Sequence, residues 1–125
     1  MSNLARDNRR WQILGLPCPK DKRYDCAYVD GLSADTLTQL IEEGFADTAE
    51  YQNLSPSIGE FIEFLRKNPS FKAFGYVITW QRPDMRVSVT GVKANKCTKA
   101  ELKRFSDEFR RADEFSVTPP RAWYD

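Results

Sequence analysis

Two short runs near the middle of the chain constrain its fold more than any other feature. In "FKAFGYVITW" (71–80), Phe74, Tyr76, Ile78 and Trp80 alternate with Gly75, Val77 and Thr79, and in "MRVSVTGVK" (85–93), Val87 and Val89 alternate with Arg86, Ser88 and Thr90. A period of two belongs to a β-strand with two unlike faces. The residues between the runs include Pro83-Asp84, a turn signal, so the pair predicts an antiparallel hairpin. The aromatic face of the first run, with Trp80 at its outer end, is the expected core face.

Helical spacing frames this hairpin. Leu37, Leu40, Ile41 and Phe45 recur on one helical face, with Ser33 to cap the start and Gly44 to end it. Ser57 and Glu60 form a capping box ahead of Ile58, Phe61, Ile62 and Leu65, and Asn68-Pro69 stops that helix. Thr98 and Glu101 repeat the box ahead of Leu102, Phe105 and Phe109. Nearer the amino end, "RWQILGLP" reads as a strand or a lead-in arm, and "YDCAYVDGL" as a strand closed by Asp30-Gly31. The fold class that follows is α+β, with about three helices packed on one face of a small antiparallel sheet that contains the hairpin. A length of 125 residues suits one domain. Residues 1–125 are therefore read as a single domain with an extended N-terminal arm (1–10) and a C-terminal tail (116–125), along which Trp123 packs onto the body.

Several chemistries are excluded or disfavoured by composition. There is no histidine, which removes Ser-His-Asp and Cys-His mechanisms and imidazole-ligated metals. The three cysteines are odd in number and form no C-x-x-C pair, so neither a disulfide framework nor a zinc site is expected. Cys18, near Lys20, Lys22 and Arg23, is the one candidate reactive thiol. No apolar run approaches the roughly 20 residues of a membrane span, and no leader pattern is seen, so a cytoplasmic protein is expected. No cofactor, no metal and no catalytic residue is assigned.

Charge is segregated along the chain although the net charge is only +1. Residues 24–65 carry nine acids and no lysine or arginine, whereas residues 66–111 carry twelve bases and four acids. Either these blocks face each other in the fold, or they form two poles that steer partners of opposite sign.

The function expected from these residues is a non-catalytic protein-protein interaction or regulatory module. It would use an acidic helical face (Glu42, Glu43, Glu60, Glu63) or the aromatic tail at Trp123. The alternative is nucleic-acid binding through the hairpin and last helix, where Trp80, Arg82, Arg86, Lys93, Lys96, Lys99 and Lys103 interleave cations with an aromatic ring. A second alternative is a small enzyme using Cys18 or the carboxylate pair Glu60 and Glu63. The expected assembly is a monomer or a homodimer.

Overall fold

The computed structural model describes residues 2–21, 23–51 and 54–125. Among them are four helices and five strands, in the order α1 (Asn3–Leu14), β1 (Cys26–Leu32), α2 (Ala34–Glu42), α3 (Ile58–Lys67), β2 (Lys72–Ile78), β3 (Val87–Lys93), α4 (Lys99–Phe109), β4 (Glu114–Val117) and β5 (Pro120–Trp123). The strands form one antiparallel sheet in the order β1-β2-β3-β5-β4. The chain is an α+β domain.

The three expected helices form where their caps place them. Ser33 accepts a hydrogen bond from the Thr36 amide, and both capping boxes, Ser57 with Glu60 and Thr98 with Glu101, are closed in both directions. Each cap satisfies amides that the helix itself leaves orphaned, worth about 1 kcal/mol. Among the described residues, no helix is long and apolar enough to cross a membrane.

The amino end departs from expectation. Residues 3–14 form a helix rather than an arm or a strand, with Ser2 capping the Ala5 amide and Gly15 closing the far end at φ 67°. Its inward positions are Asp7, Arg10, Trp11 and Leu14, an i, i+3, i+4, i+7 stripe. Two of those four positions are charged, and this hides the helical period from any hydrophobic pattern.

Asp30-Gly31 does not end β1. The two residues form a bulge, with Gly31 at φ 68°, and pairing resumes at Leu32 opposite Ala73. The tail 116–125 is extended, but it does more than lie on the surface. Together with Glu114 and Phe115 it builds β4 and β5, and β5 adds to the sheet beside β3.

The largest correction concerns the faces of the hairpin. Ala73, Val77, Val87, Val89 and Val92 face the helices, together with Val29, Leu32 and Ala122. Phe74 and Tyr76, expected in the core, lie on the other side. The reason is volume. The helices and their loops fill the core with Phe61, Phe64, Phe71, Phe105 and Phe109, whose rings pack 4.7 to 5.9 Å apart, so only small side chains fit on the sheet beneath them. Trp80, beyond the strand end, turns back and packs against the core.

Candidate functional site

With the helices on one face, the other face of the sheet is left open. Directly opposed residues on neighbouring strands share a face, so the register maps this surface row by row. Cys26 opposes Ile78, Tyr28 opposes Tyr76, and Tyr76 opposes Ser88. Phe74 opposes Gly91, which opposes Trp123. Lys72 opposes Lys93, which opposes Arg121.

Gly91 is what lets the middle row close. A Cβ there would collide with the Ala122 carbonyl and the Phe74 ring. Phe74 fills that space and is only 1% exposed. The Arg121 guanidinium lies 4.9 Å from its ring centroid, the Lys93 ammonium lies 5.8 Å away, and the Tyr28 ring lies 6.1 Å away. Tyr28 also meets Tyr76 edge-on at 5.9 Å, yet stays 50% exposed. Beside this aromatic band is a depression of about 280 Å³ lined by Cys26, Tyr76, Ile78, Ser88, Thr90 and Trp123 among others.

The cations of this face are held by carboxylates at its margins. Lys93 Nζ lies 2.9 Å from Asp30 and Arg121 3.3 Å from Glu114. The hydrogen bond to Asp30 raises the Lys93 pKa above the ordinary ammonium value. Lys72 donates to the Pro69 carbonyl at 3.2 Å.

The chain matches no family model, no curated protein and no solved structure. Its chemistry has to be read from its own surfaces.

The residues expected to bind nucleic acid are dispersed. Arg82 grips Asp84 with two bonds of 2.9 and 2.7 Å, and Arg86 is ion-paired to both Asp84 and Glu50 at 2.7 Å. Trp80 is turned to the core side. Lys96 and Lys99 are exposed ahead of and at the start of α4, and Lys103 pairs with Asp107 one turn along it. Of this set, Lys93 lies on the open face and Arg86 at the edge of the depression beside Trp123.

The expected acidic face is committed at two of its four residues. Glu43 takes two hydrogen bonds from Arg9, each 2.7 Å, which hold its carboxyl below the usual range. Glu60 closes the α3 cap by accepting from the Ser57 amide. Glu42 and Glu63 are exposed. Asp35 pairs with Arg66, Glu50 with Arg86 and Asp30 with Lys93. These pairs join part of the acidic block to the basic parts of the chain. Trp123 is the member of the protein-binding set on the open face.

A second cluster was not legible in the sequence. Asp7 and Arg10 are fully buried, 2.8 Å apart, and the Tyr24 hydroxyl donates to Asp7 at 2.6 Å. Arg10 also donates to the Tyr24 hydroxyl at 2.9 Å and to the Arg86 carbonyl at 3.1 Å. Burial, reinforced by the bond to Asp7, pushes the Tyr24 pKa up to about 12. The Cys18 thiol lies 4.0 Å from the Asp7 carboxylate; of the bases expected to activate it, Lys22 lies outside the described residues. The cluster ties α1 to β3 and to the segment before β1.

Proposed function

We propose that this chain is a non-catalytic protein-binding module that holds its partner against the open face of the sheet. One observation carries the reading: the four helices occupy one face and leave Tyr28, Tyr76, Trp123 and Arg121 together on the other. Tyrosine, tryptophan and arginine are the residues that anchor protein interfaces, because they bury large areas and keep a polar end. The tail contributes through Trp123, and the acidic helical face serves mainly to bind the molecule to itself.

The nucleic-acid reading gains from cations and aromatics sharing this face. It loses more, because Arg82, Arg86 and Lys103 are tied to carboxylates and the ring directly beneath Lys93 and Arg121, Phe74, is 1% exposed, which leaves Tyr28 as the well-exposed ring of this face.

The test is comparative affinity purification from cells of the source organism with four baits: wild type, Tyr28→Ser, Trp123→Ser, and Glu42→Gln with Glu63→Gln. The expected result is a protein set retained by wild type and the helical variant and lost with either sheet variant. Loss only in the helical variant would return the site to the acidic face. A set that disappears on nuclease treatment would move the function to nucleic acid.

A further inference from the structure

The open face carries a row of like charges. Lys72, Lys93 and Arg121 stand directly opposite one another on β2, β3 and β5. Opposed like charges on adjacent strands are destabilising, and neighbouring strands are only about 4.8 Å apart. The row leads into a depression of about 310 Å³ lined by Lys72, Lys93, Ser70 and Asn95, with Asp30 at Lys93. All three side chains point away from the helices; Lys93 and Arg121 cover the Phe74 ring, and Lys72 does not.

We infer that this row receives an acidic segment of the partner, lying across the strands with carboxylates on the three cations and its apolar side chains on Tyr28 and Trp123. The inference rests on the protein-binding reading and names the partner's chemistry. Three opposed cations span roughly 10 Å. Carboxylates at i, i+2 and i+4 of an extended peptide repeat about every 7 Å, within reach of flexible lysine and arginine side chains. Asp30 and Glu114 now occupy Lys93 and Arg121 as exposed pairs, 48% and 63% exposed on the acid side. Such pairs are weak and exchangeable, so they hold the cations in place until partner carboxylates replace them. An acidic segment needs only these three contacts. A nucleic-acid strand would need cations continuing along its backbone.

The probe is acetyl-Glu-Ala-Glu-Ala-Glu-amide, titrated into the ¹⁵N-labelled full chain at low salt, with acetyl-Gln-Ala-Gln-Ala-Gln-amide as the neutral control. Saturable shifts are expected at residues 72, 93 and 121 with the acidic peptide alone. Lys93→Gln with Arg121→Gln should weaken binding about five- to twenty-fold, while Lys103→Gln leaves it unchanged. Asp30→Asn with Glu114→Gln should tighten it, because the cations are then released; a purely structural role for these pairs predicts no gain. Equal shifts with the neutral peptide, or binding untouched by the Lys93 and Arg121 changes, would overturn the proposal. So would tighter, steeply salt-dependent binding of a thymidine decanucleotide on the same residues. If the acidic peptide fails while Tyr28→Ser and Trp123→Ser still lose protein partners in the purification, the surface stands and only the acidic chemistry falls.

Discussion

At the scale of single residues, the buried Asp7, Arg10 and Tyr24 make the strongest demands. Two charges taken out of water are tolerable only as a hydrogen-bonded set, so removing one member leaves the other uncompensated. Arg10→Ala should cost about 3–5 kcal/mol of stability in urea unfolding, whereas Asp7→Leu with Arg10→Met should recover much of that loss. Tyr24 carries a pH signature. Its folded pKa is raised to about 12 from the model-peptide value of 10.0, so its contribution is complete below pH 10 and is lost as pH rises toward 12. Absorbance titration should show a tyrosine step near pH 12 that Tyr24→Phe removes, and the same change should flatten the alkaline loss of stability. Thr90 presents the opposite case. Its hydroxyl is buried without a hydrogen-bond partner among the described residues, so Thr90→Val should gain about 1 kcal/mol in the same unfolding assay.

Among the elements, caps and close approaches set the geometry. Glu101 closes the α4 cap at the Thr98 amide and also accepts from both the amide and the hydroxyl of Ser70, at 3.1 and 2.7 Å. Burial alone would raise its pKa, but these bonds outweigh burial and bring it down to about 2. Because the folded value is depressed, its stabilisation is present above the unfolded carboxyl pKa and is lost as pH falls from about 4.5 toward about 2. Thermal melts across that window should show a slope that Glu101→Gln removes, together with about 1–2 kcal/mol of stability at neutral pH. The hairpin β4–β5 depends on Gly91. Gly91→Ala would drive a methyl into the Ala122 carbonyl and Phe74, and should cost at least about 2 kcal/mol and loosen amide protection in β5 first. The capping boxes were legible in the sequence because their residue types and spacing are local. The β4–β5 hairpin was not, because Pro119-Pro120 reads as a strand breaker, and the strand forms only where β3 offers an edge.

Over the whole molecule, the segregated charges cancel at short range. Arg9 with Glu43, Arg66 with Asp35, Arg86 with Glu50 and Lys93 with Asp30 join the acidic block to the basic parts of the chain. Most of these groups remain partly exposed, and such pairs are worth about 0–1 kcal/mol each. Raising salt from about 0.05 to about 0.5 M should therefore lower stability by no more than roughly 1–2 kcal/mol, as measured by urea midpoints. A larger loss would mean that the blocks hold the fold together. The same cancellation leaves the open sheet face, rather than a charged pole, as the feature that distinguishes the surface.

The sequence by itself determined the α+β class, three of the helices with their caps, the central hairpin, and the exclusion of histidine chemistry. All of these rest on periods and residue types that act within a few positions. It also held Trp123, Lys93 and the row Lys72, Lys93 and Arg121, but as separated letters. Only the tertiary structure decided that Phe74 and Tyr76 face away from the core, because the choice between two amphipathic strand faces depends on how much volume the helices already fill. Only the tertiary structure showed α1 as a helix, because its inward stripe is half ionic and closes on Tyr24, 14 and 17 residues away from Arg10 and Asp7. The candidate surface emerged in the same way, from strands that pair across the sheet over distances no local pattern records.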